Sequence, residues 1–188
     1  MNNLLINLDR AVQLLDESEV VAIPTETVYG LAARIDRPLA LEKIFSTKER
    51  PFFDPLIVHV DSIDQAIGCV LKWPLAAQIL AMSFWPGPLT LVLEKKPEVV
   101  SDLITAGLPT VGLRMPAHVR TLELLKRVKT PLAAPSANKF KQTSPTSAGH
   151  VLSGLPGVSV LEGGACQVGI ESTIVQIVNE NIDEKKIG

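Results

Sequence analysis

The sequence predicts a mixed α/β fold. Short β-favouring runs alternate with segments of helical periodicity along the chain, and no repeat, linker or shift in composition interrupts the alternation. With 188 residues, 46% of them hydrophobic and 20% charged, the chain is of one-domain size. A globule of that size buries roughly 70% of the surface its unfolded chain exposes, so no disulfide or metal is needed to hold it.

Leu4, Leu8, Ala11 and Leu15 recur at helical spacing, so the chain is expected to open with a helix that packs one face on a sheet. Val20 to Ile23 reads as a strand stopped by Pro24, and Val28 to Ala33 as a second, joined through the polar corner Pro24-Thr25-Glu26-Thr27. Pro38 fits the first turn of a helix through about Thr47, with Leu41, Ile44 and Phe45 as its apolar stripe. Arg50 precedes Pro51 and is therefore pushed toward extended geometry, so Lys48 and Arg50 should project side by side beyond the helix end. Leu56 to Val60 is the next strand. Ser62 and Gln65 form a capping-box pattern, and a further helix runs from Pro74 to about Phe84 before the turn Trp85-Pro86-Gly87-Pro88. Strands follow at Leu89 to Leu93, Thr110 to Met115, Pro131 to Ala134, Val158 to Leu161 and Thr173 to Val178, with helices near Ala117 to Val128 and Ser147 to Leu152. Ser136 to Thr146 is polar, cationic and aperiodic, a surface loop long enough to close over a ligand.

The composition narrows the function. A formal net charge of -2 argues against a surface built mainly to grip nucleic acid, and Lys126, Arg127, Lys129, Lys139 and Lys141 read as a solvated helix face and a polar loop. The start of the chain lacks a basic leader, no segment is long enough to span a bilayer, and Cys69 and Cys166 match neither a zinc pattern nor CxxC. A cytoplasmic protein with two packing cysteines is the expectation. Walker, Rossmann, HExxH and GxSxG motifs are all missing.

What remains is a set of polar residues at alternate positions beside apolar runs: Lys48 with Arg50, Thr110 with Arg114 across Gly112, and Ser136 with Asn138. In extended segments such pairs face one way. Arg supplies a planar fork for carboxylate or phosphate, Lys a mobile charge, and Ser and Asn neutral hydrogen bonds. That inventory suits an enzyme holding a nucleotide and a small carboxylic acid, working by positioning and charge neutralisation, with Mg2+ carried by substrate phosphates and leaving no motif. Bland alternatives stand beside each element: TVGLRMP as an edge strand whose Arg meets solvent, Ser136 and Asn138 as a cap or turn, His59 as a structural histidine on the face of Ile57, Trp73 and Trp85 as packing. Glu171-Ser172-Thr173 follows the glycine-rich GGACQVG, where either a turn or close backbone approach to a ligand explains the glycines.

The segments PTETVYGLAA, STKERPFFDPLIVHV, FWPGPLTLVL, TVGLRMP, PLAAPSAN, SPT and VGIESTIV, in this order and over nearly the whole chain, resemble the threonylcarbamoyl-AMP synthase family, the YrdC-like domain. The resemblance implies one YrdC-like domain over residues 1–188, a single twisted mixed parallel and antiparallel sheet with helices packed on it, in the short form without an extra C-terminal domain. It implies that L-threonine, bicarbonate and ATP become threonylcarbamoyl-AMP and pyrophosphate, for N6-threonylcarbamoyladenosine in tRNA. Lys48 and Arg50 match catalytic positions. Lys48, Arg50, Asp54, Thr110, Ser136, Asn138, Ser144 and Lys186 match ATP contacts, and Thr27, His59, Arg114 and Ser172 match threonine contacts. In the implied mechanism a carbamate oxygen attacks the α-phosphate while Lys48, Arg50 and Mg2+ stabilise the leaving pyrophosphate.

Three positions depart from the pattern. Asp54 replaces a common Asn and either repels ATP or helps hold Mg2+; Asn138-Lys139-Phe140-Lys141 replaces a Ser-Gly step; Lys186 replaces an Arg. Transfer to tRNA belongs to other proteins, with which contact is an expectation, while binding of tRNA or double-stranded RNA by this chain is not required. Two other readings use the same cleft: an RNA-binding or ribosome-assembly module, and a carbamoyl-transfer relative with a different acceptor.

Overall fold

A computed structural model describes residues 4–178, and Lys186 lies outside them. The elements run β1 (Leu5–Ile6), α1 (Leu8–Asp16), β2 (Val21–Ile23), β3 (Gly30–Arg34), α2 (Pro38–Lys48), β4 (Ile57–His59), α3 (Ile63–Gly68) and α4 (Leu75–Phe84). They continue with β5 (Leu89–Glu94), α5 (Asp102–Thr105), β6 (Thr110–Arg114), α6 (Val119–Val128), β7 (Leu132–Ala133), α7 (Ala148–Gly154), β8 (Ser159–Leu161) and β9 (Thr173–Gln176). Among the described residues the strands form one sheet in the order β1-β8-β2-β3-β7-β4-β6-β5-β9. Parallel and antiparallel pairs mix: β4 runs parallel to β6 and β9 parallel to β5, while β5 and β6 are antiparallel. This is the mixed α/β sheet that the sequence predicts.

Side-chain alternation assigns the two faces. In β2, Val21 and Ile23 pack under α1 and α6 with Leu14, Leu15, Leu124 and Leu125, whereas Ala22 joins the larger core on the opposite face. That larger core holds Tyr29, Leu31, Ile44, Phe45, Leu91, Ile104 and Leu113. Burying each such side chain contributes roughly 1.5–3 kcal/mol. Among the described residues, no helix is long and apolar enough to cross a membrane.

The local expectations hold with three corrections. Leu4 does not open the first helix: Leu5 and Ile6 pair with β8, and α1 begins at Leu8, capped by the Asn7 side chain accepting from the Arg10 N–H at 2.9 Å. The second strand begins at Gly30 rather than Val28, because the Tyr29 N–H donates to Pro145 O and the Tyr29 carbonyl accepts from the Ala137 N–H, which extends the corner. The short helix α5 was not foreseen. In the capping box, Ser62 Oγ accepts from the Gln65 N–H at 3.2 Å, and Gln65 Oε1 reaches back to the Asp61 N–H at 3.0 Å.

Candidate functional site: a charged cleft at one end of the sheet

Gly112 of β6 and Thr110 beside it form part of the lining of a cavity of about 520 Å3, with Arg50, Asp54, Ser136, Glu171 and Ser172 around them. A Cβ on Gly112 would meet Thr90 Cγ2 at 3.2 Å, so the missing side chain is what keeps this part of the strand open. The expected strand faces are present, with Val111 and Leu113 buried on the other side.

Lys48 and Arg50 come close, by a different route from the one expected. Lys48 is the last residue of α2, and Glu49 takes the left-handed conformation (φ 53°) before Arg50, so no extended segment aligns the pair. The Lys48 side chain turns inward: it is 1% exposed, and its ammonium donates to the backbone carbonyls of Ser136 and, at 2.5 Å, of Asn138. Burial, reinforced by the neighbouring Arg50 charge, pushes Lys48 down to about 8. Arg50 bonds to the Asp54 carboxylate at 2.9 Å and to the Pro55 carbonyl at 3.0 Å, and burial also lowers its pKa. Asp54 is therefore the ion-pair partner that orients Arg50, and the Phe140 ring lies 6.0 Å from the guanidinium.

Ser136 and Asn138 divide between two cavities. Ser136 lines the first, while Asn138 and Ser144 line a second, also of about 520 Å3, with Gln142 and His150. Ser144 Oγ donates to the Glu171 carboxylate at 2.6 Å, which joins the two linings, and Lys48 ties their backbones together. The Asn138 amide donates to the Lys139 and Gln142 carbonyls at 2.9 and 2.6 Å, so it shapes its own loop. This loop is fastened to the body: the Ala137 N–H donates to Tyr29 O at 2.7 Å and the Phe140 N–H to Lys48 O at 2.9 Å. Within Asn138-Lys139-Phe140-Lys141 the left-handed residue is Lys141 (φ 65°).

Thr27, His59 and Arg114 gather in a buried cluster. Arg114 is 3% exposed and donates through Nε to Gly87 O at 3.3 Å, through one terminal nitrogen to Thr27 Oγ1 at 3.0 Å, and through the other to the Glu26 carboxylate at 2.6 Å. The β4–β6 register places His59 beside Arg114, and burial together with the Arg114 charge drives His59 down to about 3. The imidazole is neutral, and its Nδ1 has no hydrogen-bond partner among the described residues. Ser172 belongs to the cleft wall, sharing a 2.7 Å hydrogen bond with Thr90.

Glu26, Glu171 and Thr90 were missed in the sequence. Glu26 had a legible signal, a lone carboxylate in a polar corner between two apolar strands; Glu171 and Thr90 reach the cleft only through long-range pairing of β9 with β5.

Fold and cleft together define an α/β protein whose mixed sheet carries, at one end, buried cations beside an open strand. The chain belongs to the Sua5/YciO/YrdC family: the family's model, described as Telomere recombination, matches residues 13–185. It is similar to the threonylcarbamoyl-AMP synthase of Bacillus subtilis (strain 168), with 44% identity over 173 residues, 91% of this chain and 50% of the relative. It is similar to the threonylcarbamoyl-AMP synthase of Pyrococcus abyssi (strain GE5 / Orsay), with 46% identity over 169 residues, 89% of this chain and 49% of the relative. The crystal structure of P. abyssi Sua5 complexed with L-threonine superposes with a TM-score of 0.89 at 44% identity, covering 93% of this chain and 52% of that one. The chain thus spans about half the length of these relatives.

Proposed function

We propose that the chain is an L-threonylcarbamoyladenylate synthase, a nucleotidyltransferase that forms threonylcarbamoyl-AMP and pyrophosphate from L-threonine, bicarbonate and ATP. The observation that carries this reading is the adjacency of two anion-seeking centres on one strand face: the Thr110–Gly112 opening flanked by Arg50, and Arg114 two residues further along β6. The curated relatives bear the name of this activity, and the P. abyssi structure is described as complexed with L-threonine.

In this reading Arg114, steadied by Thr27, takes the amino acid's carboxylate, while Arg50 faces the triphosphate from the cleft wall. Lys48 acts mainly from behind. Its ammonium fixes the Ser136 and Asn138 carbonyls and sets the loop against which the nucleotide lies, with one N–H left over for a phosphate oxygen. Neutral His59 offers a hydrogen bond without adding charge. The amine, once it has lost its proton and joined the carbon of bicarbonate with release of water, presents a carbamate oxygen to the α-phosphate, and pyrophosphate leaves toward Arg50. Asp54 and Glu171, hard oxygen donors at the cleft wall, would be the residues to hold Mg2+ arriving with ATP, and the ion would neutralise charge on the phosphates. Delivery to tRNA falls to partner proteins in this scheme, so the chain itself needs no RNA surface.

The test is mass spectrometry of products from ATP, L-threonine, bicarbonate and Mg2+, with pyrophosphate followed in parallel and threonine omitted as control. Threonine-dependent pyrophosphate with a threonylcarbamoyl-AMP mass is the expected result. Turnover driven instead by carbamoyl phosphate would replace the reading with carbamoyl transfer, and salt-sensitive RNA binding by an inactive, folded sample would replace it with an RNA-binding module.

A further inference from the structure

Glu26 occupies the corner between β2 and β3 and is 7% exposed. Its Oε1 accepts from Arg114 at 2.6 Å and its Oε2 from the Ala117 N–H at 3.0 Å. A guanidinium carries five N–H donors. Those to Gly87, Thr27 and Glu26 are accounted for, which leaves one on each terminal nitrogen. A carboxylate oxygen accepts more than one hydrogen bond, so Glu26 also keeps acceptor capacity. A cavity of about 200 Å3, lined by Glu26, Thr25, His118, Gly163 and Gln167 among others, opens on the Glu26 side of the pair, with Arg114 buried behind it. Thr25 and Thr27 present hydroxyls near the pair, burial raises the pKa of the nearby Cys166 thiol and holds His59 neutral, and His118 shares the cavity lining with Glu26.

We propose that Glu26 determines the charge class of the acid accepted at Arg114: the closed Arg114–Glu26 pair is electrically neutral, so this subsite admits an amino-acid zwitterion and rejects a simple carboxylate. The inference rests on the reading that Arg114 receives the amino acid. A carboxylate approaching an unpaired buried guanidinium would gain a full opposite charge in a dry site. Here that charge is already matched, so a net anion loses its hydration without a free counter-charge to replace it. A zwitterion meets both members, its carboxylate on the two spare Arg114 donors and its ammonium on the spare acceptor capacity of Glu26. The pair therefore reads the α-amino group, a feature Arg114 alone cannot sense.

The experiment is calorimetric titration of the full chain with L-threonine, with 3-hydroxybutanoate (threonine without its amino group) and with L-threoninamide (threonine without its carboxylate charge). Wild-type protein is expected to bind threonine at least about tenfold more tightly than either analogue, about 1.4 kcal/mol. In Glu26→Gln, threonine should weaken and 3-hydroxybutanoate should strengthen, so that their ratio falls by about tenfold or more; a merely structural role would weaken both alike and leave the ratio unchanged, which would overturn the inference. If Glu26→Gln does not fold, the wild-type series decides, since equal binding of threonine and 3-hydroxybutanoate excludes charge selection. Wild-type protein that binds ATP but no threonine would instead remove the functional reading, and this inference with it.

Discussion

Lys48 and His59 are ionisable side chains held almost out of water, and each ties function or stability to pH in a calculable direction. The Lys48 ammonium is disfavoured by burial, with a folded pKa of about 8 against an ordinary 10.5. Between those values the unfolded chain binds more protons than the folded one, so this group's contribution to stability rises with pH through that window. Binding should run the other way: above about pH 8 the lysine loses the charge and a donor that serve the Ser136–Asn138 loop and, in the proposed function, the triphosphate. ATP affinity is therefore expected to fall from pH 8 to 9.5 while the protein's Tm does not fall with it. Affinity that stays flat across that range would remove Lys48 from the nucleotide site. For His59 the folded pKa is about 3 against 6.5, so below pH 6.5 the unfolded chain again binds more protons, and stability is lost as pH falls toward 3. His59→Gln should flatten this acid limb in a series of chemical denaturations, and an unchanged slope would show that other groups carry it. Lys48, Arg50, Arg114 and Ser136 were legible as chemistry, because charged or hydroxyl residues next to apolar runs are conspicuous. Their partners were not: that Lys48 meets two carbonyls, or that Arg114 meets Glu26, depends on chain segments far apart in sequence.

At the scale of elements, three helices end on left-handed residues other than glycine: α5 on Ala106 (φ 54°), and two more on charged side chains. Glu49 closes α2 and Lys129 closes α6, both left-handed, with φ of 53° and 57°. A side chain in that region costs about 1 kcal/mol relative to glycine. Lys129 is exposed and remote from the cleft, so Lys129→Gly should stabilise the protein by about 0.5–1 kcal/mol in urea unfolding without altering turnover. A loss of stability would show that the lysine makes compensating contacts. On β6, Gly112→Val should place methyl groups in the cleft and against Thr90, costing ligand affinity well beyond its cost in stability; affinity equal to wild type would move the site off this strand. Helices were legible from periodicity and caps, as Pro38 and Ser62 illustrate. The end of α2 was legible to within a residue, but the turn after it was not, because a left-handed Glu49 has no compositional mark.

At the scale of the whole molecule, mixed α/β character followed from patterning, but the order of the strands did not. Strands of two or three residues such as β1, β2 and β7 carry too few side chains to specify a neighbour, and their places depend on what the rest of the sheet leaves available. The cleft itself is a product of that order. β4 and β6 bring His59 beside Arg114, and β5 and β9 bring Thr90 beside Ser172. A binding site drawn from several strands of one sheet should lose ligand affinity and global stability together in a truncation that ends before Thr173, as read by ATP titration and thermal melting. Retained ATP binding in that truncation would show that β9 only borders the site.

The strand β9 also gives the molecule a timetable. It is the last strand of the described chain in sequence, yet it lies beside β5 and carries part of the cleft wall next to residues made much earlier. During synthesis, helices and hairpins nearer the N-terminus can settle as they emerge, whereas this wall has to wait until residues beyond 170 leave the ribosome. In a nascent chain this part of the cleft wall, and the packing that Val175 adds to the core, is therefore completed late.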